Sequence, residues 1–299
     1  MVAVMEGLAE LLAARGVTRL EPLGSGLEFS VFRGRMGGAE VAVRVAGRRC
    51  DSNANDPLVD TRALLVQERR LARFVLARGL PAAAPLDLIL SSSPDVPDIL
   101  VSAYVPDDGS PLDPYRLGGV LARLHALAPP GPPLVAAEGM PAARLLVRRV
   151  LRRWAEVGRL RQDWPAAPPG SVLAAAAAAL GEGSLLHLDV RRPNVRCRAG
   201  EVSALLDWSN ALRGDPVLEF GRLGEYARLP DNGLDLDALR AGYGEPPPDG
   251  DAPALLCRLD AALMLALVFL SEAPDAARGD AAADRVLELY ERLRPRALG

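Results

Sequence analysis

Lysine is absent from this sequence of 299 residues, and all 35 basic side chains are arginine. Any site for a phosphate or carboxylate group must therefore use the planar guanidinium group instead of an ammonium group. The formal net charge is only -3, which argues against a nucleic-acid partner. The charge is uneven, because residues 1–199 carry 25 arginines and 20 acidic residues, whereas residues 200–299 carry 10 and 18. The acidic C-terminal third would complement a cationic ligand, although a solvated acidic face is the more common meaning of such a bias.

Cysteine is also scarce, and aromatic residues make up only 4% of the chain. The number of cysteines is odd, and they are widely spaced and outside any metal-binding pattern: Cys50, Cys197 and Cys257. A disulfide framework or a zinc site is therefore not expected. This cysteine usage favours a reducing compartment, and we expect a cytoplasmic protein that is a monomer or a homodimer.

No apolar segment is long enough to predict a membrane span. The longest one, residues 261–270, lies between Asp260 and Glu272 and is shorter than the ~20 residues that a bilayer requires. The first 16 residues carry acidic side chains where a secretory leader would carry basic ones, and they predict an amphipathic helix. We therefore expect no membrane partner.

Hydrophobic periodicity divides the chain into two parts and predicts an α+β protein. Residues 1–104 predict an antiparallel sheet with one long helix that ends before Gly79; the strands are expected at 18–23, 28–33, 39–46, 85–92 and 98–105. Residues 105–299 predict a mostly helical part, with helices at about 114–128, 141–163, 171–181, 216–229, 235–243, 253–272 and 280–294. The boundary is placed near Val105.

The densest group of polar residues lies in the segment 184–216. His187, Asp189 and Asn194 follow an apolar run, and Asp207 comes thirteen residues after Asn194. The segment between them, "VRCRAGEVSALL", predicts a hairpin that brings Asp207 beside Asn194. Carboxylate and amide oxygens are the ligands that Mg²⁺ prefers when it is bound to nucleotide phosphates. An Asp five residues before an Asn, followed by a second Asp, is the pattern of a phosphoryl-transfer site. A polar turn between buried strands is the alternative.

The motifs "HLDVRRPN", "LLDWSN" and "GDPVLE" resemble, in this order, those of the aminoglycoside phosphotransferase family, and "VLARLHAL" at 120–127 is similar too. The resemblance implies a bilobal protein-kinase-like fold, with a nucleotide-binding lobe at 1–104 and a catalytic and substrate-binding lobe at 105–299. It implies transfer of the γ-phosphate of ATP or GTP to a hydroxyl of a small molecule. Asp189 would accept the hydroxyl proton, Asn194 and Asp207 would bind Mg²⁺, and His187 would be a structural brace.

The sequence departs from the usual family pattern at several positions. Leu188 stands where the family usually has Gly, and Glu219 stands where it usually has Asp. Arg191 and Arg192 replace a His-Pro pair, and Pro193 precedes Asn194 directly. None of these changes removes an expected metal ligand or base, so they bear on the substrate more than on activity.

Two residues of the first part are predicted to form an ion pair. Glu68 has leucines or alanine at positions i-4, i-3, i+3 and i+4, so its carboxylate lies on the apolar face of its helix and needs a partner. Arg44 alternates with Val43 and Val45 along a strand and is flanked by two alanines, which leave room beside it. A kinase uses such a pair to hold the α- and β-phosphates. The alternative is that each side chain faces water.

Four further residues are weaker candidates for phosphate binding: three in one turn, and one arginine. Gly24, Ser25 and Gly26 form a turn in which glycine would let the backbone approach phosphates, although any hairpin turn also favours glycine. Arg191 could contact the γ-phosphate, or it could be a surface arginine. The arginine-rich helix at 144–161 is predicted to present a solvated face, and anion binding is the alternative.

The acceptor is expected to be cationic, either an aminoglycoside or another cationic antibiotic. Acidic residues after Asp207 would then face it, and the candidates are Glu219, Glu225, Asp231, Asp235 and Asp237. A metabolic kinase for choline, homoserine or a sugar is the alternative within the same fold. A non-catalytic nucleotide-binding module is the alternative outside enzymes.

Overall fold

A computed structural model of the chain describes residues 2–93 and 96–298. Its first part contains a five-stranded antiparallel sheet in the order β1-β2-β3-β7-β6. The elements are α1 (Val2–Ala13), β1 (Val17–Ser25), β2 (Phe29–Met36), β3 (Ala39–Ala46), β4 (Cys50–Asp51), β5 (Val59–Asp60), α2 (Thr61–Leu76), β6 (Pro85–Ile89) and β7 (Ile99–Ala103). The five predicted strands and the long helix are confirmed. The two-residue strands β4 and β5 pair only with each other and were not predicted.

Alternation along β3 decides which helix covers each face of the sheet. Val41, Val43 and Val45 are buried together with Leu12 of α1, so α1 covers one face. Phe29 and Ala46 are buried with residues of α2 on the opposite face, where Arg44 also lies. The two-residue period of a strand therefore directs the only charged side chain in the middle of β3 toward α2.

The second part is mostly helical, and its helices pack around the largest apolar cluster, which α4, α5, α8 and α9 share. The segment between Ala103 and Pro114 joins the two parts, and the boundary near Val105 stays a prediction. The elements are α3 (Pro114–His125), α4 (Ala142–Leu160), α5 (Gly170–Ala177), β8 (Ser184–Leu186), β9 (Val195–Arg198), β10 (Glu201–Leu205), β11 (Leu212–Gly214), α6 (Pro216–Tyr226), α7 (Leu236–Tyr243), α8 (Ala252–Leu267) and α9 (Ala276–Leu298). All seven predicted helices are present, with ends that differ by a few residues.

The apolar segment near the C-terminus is longer than the sequence suggested. α8 continues into a π-helical turn, Val268–Glu272. The whole stretch Ala252–Glu272 has the length and composition of a membrane span, with a mean hydropathy of 2.0. However, 72% of its most apolar 18-residue segment is buried inside the protein. The stretch has the burial expected of the core helix of a folded domain.

Two glycines allow α3 and α7 to cross at very short distance. A Cβ atom on Gly118 of α3 would overlap the backbone of α7 at Leu239 and Tyr243, and one on Gly242 would overlap the backbone at Tyr115. Backbone atoms cannot move aside as a flexible side chain can. The close crossing therefore requires glycine at both positions.

We expect Gly118→Ala to lower the free energy of unfolding by ~1–3 kcal/mol or more, because overpacking outweighs the ~1 kcal/mol that alanine gains in a helix. Urea denaturation monitored by circular dichroism would measure the change. Gly119→Ala is the matched control, since its nearest neighbour, the Gly242 carbonyl, lies at an ordinary 3.7 Å. A Gly118→Ala protein as stable as the Gly119→Ala protein would contradict this account.

Candidate active site

The hairpin of β9 and β10 brings the two candidate metal ligands together, as the sequence predicts. Ala199 and Gly200 occupy its turn with φ of 51° and 78°, the left-handed conformation of tight hairpin turns. The amide of Leu206 donates to the carbonyl of Asn194 at 2.8 Å, which places Asp207 at the start of the next segment beside Asn194.

Asp189 is almost completely buried, and three hydrogen bonds hold its carboxylate. Its Oδ1 accepts from the Tyr226 hydroxyl at 2.8 Å and from Arg191 Nε at 3.0 Å. Its Oδ2 accepts from Asn194 Nδ2 at 2.6 Å. A carboxylate has about four lone-pair positions, so one position on Oδ2 remains for a further donor such as a hydroxyl. Its neighbours therefore orient Asp189 without saturating it.

The backbone next to Asp189 adopts a conformation that leucine seldom takes. Leu188 has φ of 59°, where the resembled family usually has glycine. The carboxylate of Glu219 accepts from the amides of His187 and Leu188 at 2.7 and 2.9 Å, and Arg222 donates to the Leu188 carbonyl at 2.8 Å. His187 is itself buried against the Trp208 ring. Hydrogen bonds to buried charged groups thus stabilise this turn.

The predicted pair of Arg44 and Glu68 is formed, and it includes a third member. Arg44 Nη1 donates to Glu68 Oε2 at 2.9 Å, and Arg44 Nη2 donates to Asp207 Oδ1 at 2.8 Å. Burial raises the pKa of Glu68, which Arg44 and the Trp208 amide only partly offset. Burial also acts against ionised Asp207, but the charge and hydrogen bond of Arg44 outweigh it and lower the Asp207 pKa to about 2. Asp207 is therefore an anion at neutral pH.

The oxygen atoms of Asn194 and Asp207 suit a hard cation. The Asn194 amide nitrogen donates to Asp189, which leaves its Oδ1 without a hydrogen bond within the described residues. Asp207 uses Oδ1 for Arg44 and the Ser209 amide, so Oδ2 is also left without one there. Two oxygen ligands match Mg²⁺ that is otherwise bound by phosphates and water. No cluster of three or more His, Cys, Asp or Glu suited to a metal occurs among the residues that the structure describes.

A cavity of about 660 Å³ connects most of the predicted site residues. Ser25 and Gly26 line it from the β1–β2 turn, and Asp189, Arg191 and Asp207 line it from the helical part. In this turn the amide of Gly26 donates to the Phe29 carbonyl at 2.8 Å. Gly24, Arg44, Glu68 and Asn194 are not part of the cavity wall, although Arg44 and Asn194 bind Asp207 and Asp189, which are.

The acidic side chains proposed to meet a cationic acceptor are mostly engaged elsewhere. Glu219 is buried under the Leu188 turn, and Glu225 is buried between Arg258 and Arg285. Asp235 caps the N-terminus of α7, and Asp237 lies in its first turn. Of the five, Asp231 lines the cavity, where it forms an ion pair with Arg278.

The prediction that the arginine-rich helix α4 presents a solvated face was wrong for two positions. Arg149 and Arg153 are buried and line the cavity. They lie one turn apart beside the apolar stripe that contains Val150 and Trp154. Their spacing of four residues was visible in the sequence, but nothing there indicated that the charged stripe faces another helix.

Tyr226 is a site residue that sequence reasoning missed. It lies on α6, in which every residue from Val217 to Tyr226 is buried, so no periodicity distinguishes it. Burial and the nearby Asp189 carboxylate both raise the pKa of Tyr226, so its hydroxyl is protonated and donates to that carboxylate. Nothing in the sequence distinguished it from its neighbours on this helix.

We expect Arg44→Ala to lower the free energy of unfolding by ~3–5 kcal/mol, because it leaves a buried carboxylate without its counter-ion. Adding Glu68→Gln should restore part of that loss, with a coupling of ~1 kcal/mol or more in a double-mutant cycle followed by urea denaturation. Losses that simply add would refute the pairing. Arg33→Ala is the control, since its pair with Glu40 is exposed and should contribute little to stability.

Comparisons with known proteins agree with this geometry. A family model described as the phosphotransferase enzyme family (APH) matches residues 19–256. No curated protein matches the chain. A crystal structure of a thermostable mutant of the aminoglycoside phosphotransferase APH(4)-Ia, in a ternary complex with AMP-PNP and hygromycin B, shares 18% identity and a TM-score of 0.70, with 96% of this chain and 98% of that chain covered.

A second solved structure with the same fold is the macrolide 2'-phosphotransferase MphH from Brachybacterium faecium. It shares 23% identity and a TM-score of 0.53, with 94% of this chain and 98% of that chain covered. The structural likeness shows a protein-kinase-like fold, and the family model covers well over half of the chain. The protein is therefore a member of the phosphotransferase enzyme family, that is, a small-molecule kinase.

Proposed function

We propose that the protein transfers the γ-phosphate of ATP to a hydroxyl of a small molecule that binds in the cavity beside Asp189. The observation that carries this proposal is the half-satisfied Asp189 Oδ2, which accepts from the Asn194 amide in the wall of the cavity that Asp207 also lines. A related fold in complex with AMP-PNP supports an adenine nucleotide as donor. GTP is the alternative donor.

The nucleotide phosphates would bind between the β1–β2 turn and the ion pair of Arg44 and Glu68. Arg44 is held by Glu68 on one side, so its guanidinium is oriented before a phosphate arrives. Mg²⁺, held by Asn194 and Asp207, would neutralise the charge that develops on the transferred group. Arg191 is also placed in the cavity wall and would add positive charge near the γ-phosphate.

In the reaction, the acceptor oxygen forms a bond to the γ-phosphorus while the bond from that phosphorus to the β–γ bridging oxygen breaks. ADP leaves, and the hydroxyl proton passes to Asp189 Oδ2. Asn194 and Tyr226 keep the carboxylate in place during this transfer. Positioning of this kind supplies much of the rate in phosphoryl transfer, because the transition state is loose.

Two classes of acceptor are supported by different observations. An aminoglycoside or another cationic antibiotic, inactivated by phosphorylation, is supported by the hygromycin B complex of the related fold and by acidic Asp231 and Glu272 in the cavity wall. A metabolic hydroxy compound with an anionic group is supported by the buried Arg149 and Arg153 in the same wall. A purely nucleotide-binding module would not require Asp189.

We expect Asp189→Asn to lower kcat by ~10²–10⁴-fold, because a positioned base is lost while the metal ligands remain. The affinity for AMP-PNP with Mg²⁺ should change little. Phosphate transfer measured by the mass gain of the acceptor, together with nucleotide titration, would test both statements. Asp284→Asn, at an exposed position of α9, is the control. A variant that keeps more than a tenth of wild-type kcat would refute the role of Asp189.

For a cationic acceptor, we expect KM at saturating nucleotide to rise with ionic strength, because the Debye length falls from ~10 Å at 0.1 M salt to ~3 Å at 1 M. Asp231→Asn should weaken this dependence. Asp237→Asn is the matched control, since it removes the same charge at an exposed site outside the cavity wall. A flat KM, or a best substrate that is neutral or anionic, would reject the cationic-antibiotic class.

A further inference from the structure

Two arginines of α4 are buried in the wall of the cavity. Arg149 is 6% exposed and Arg153 is 2% exposed, although both line the cavity. Their neighbours in that wall are Met264, Leu265 and Val268. Arginine is seldom buried without a paired anion.

The charges around these two arginines do not balance. Arg153 Nη1 forms an ion pair with Asp260 Oδ1 at 2.7 Å, and Arg222 Nη2 lies 4.0 Å from Asp260 Oδ2. Three buried guanidinium groups therefore share one buried carboxylate. Asp56, which is half-buried, lies 3.7 Å from a fourth arginine, Arg152. Arg149 itself forms no ion pair in the part of the chain that the structure describes.

Hydrogen bonding at this place is also incomplete. The Nε atoms of Arg149 and Arg153 are buried and have no partner in the part of the chain that the structure describes. The one hydrogen bond of the Arg149 side chain within that part goes from Nη2 to the Ala136 carbonyl at 2.9 Å. Burial, together with repulsion from Arg153, lowers the Arg149 pKa to about 10, so the group is still a cation at neutral pH.

A continuous set of contacts joins this wall to the candidate base. Arg222 donates to the carbonyl of Leu188, which precedes Asp189, and it lies beside the Asp260 carboxylate that Arg153 binds. Asp189 and Tyr226 line the same cavity. One small molecule could therefore present a hydroxyl to Asp189 and another group to Arg149.

We propose that Arg149 and Arg153 bind a carboxylate group of the acceptor, so that the acceptor is a hydroxycarboxylate or another hydroxy compound with an acidic group. A planar carboxylate matches the guanidinium fork and would supply the missing negative charge. The inference rests on the proposed transfer to a small-molecule hydroxyl, and it selects the anionic class of acceptor. The nucleotide phosphates are the other source of an oxyanion and are separated in the test.

The test is thermal denaturation of the full chain with saturating AMP-PNP and Mg²⁺ at constant ionic strength. The probes are short hydroxycarboxylates, each paired with its neutral polyol, such as gluconate with glucitol. The variants are Arg149→Met, which removes the charge, and Arg149→Lys, which keeps the charge but not the fork. Arg144→Met, at an exposed position of the same helix, is the matched control.

We expect at least one carboxylate to raise Tm of the wild type and of Arg144→Met, while its neutral counterpart does not. Arg149→Met should weaken the Kd derived from this shift by about tenfold or more, and Arg149→Lys by less, because hydrogen bonds between ionised groups are the strong ones. The Tm of Arg149→Met without a probe should equal or exceed that of the wild type, since an unpaired buried charge is removed. No preference for any carboxylate, or a shift that survives in Arg149→Met, would overturn the proposal.

Two further outcomes identify other roles for Arg149. If Arg149→Met weakens AMP-PNP binding as strongly as carboxylate binding, the arginine serves the nucleotide and the acceptor assignment is wrong. If both Arg149 variants unfold well below the wild type and no carboxylate shifts its Tm, the role is structural. Because denaturation measures binding and not turnover, a protein that binds carboxylates but transfers no phosphate would refute the proposed function and leave the binding site intact.

Discussion

The guanidinium group of Arg44 is the interaction on which the rest of the site depends. It extends from β3, binds Glu68 of α2, and reaches Asp207 in the helical part. One side chain thus fixes the sheet, its covering helix and the segment after β10 with respect to one another. The bridge also explains why Asp207 stays ionised, since its pKa of about 2 requires that positive charge. The geometry of the cleft and its electrostatics therefore have the same origin.

The turn before Asp189 shows how this chain compensates for an unfavourable residue. A left-handed conformation costs a non-glycine residue ~1–2 kcal/mol. Leu188 offsets this cost because its side chain is buried in the main apolar cluster and Glu219 accepts hydrogen bonds from its amide and from that of His187. The longer side chain of Glu219, where the resembled family usually has Asp, accompanies Leu188, where that family usually has Gly. The two departures are therefore coupled through this turn.

Strand and helix periodicity and turn residues were sufficient to predict contacts where a residue's surroundings follow from its own secondary-structure element. The two-residue period of β3 and the apolar neighbours of Glu68 predicted the ion pair with Arg44, and the hairpin turn predicted the approach of Asp207 to Asn194. They failed where a residue's surroundings come from a distant helix. Tyr226 and the arginines of α4 acquire their roles only when α6 and α8 pack beside them, and no pattern in one helix records which partner covers it.

The use of arginine instead of lysine has a physical consequence at the buried wall of the cavity. Burial and a neighbouring cation lower the Arg149 pKa to about 10, which leaves the side chain charged at neutral pH. A lysine begins at a lower pKa, near ~10.4, so the same burial would leave part of the population neutral. Only a guanidinium group keeps a full positive charge in such a place without an adjacent carboxylate. The charge is therefore available to an incoming anion over the whole physiological pH range, at a cost in stability that an apolar side chain would avoid.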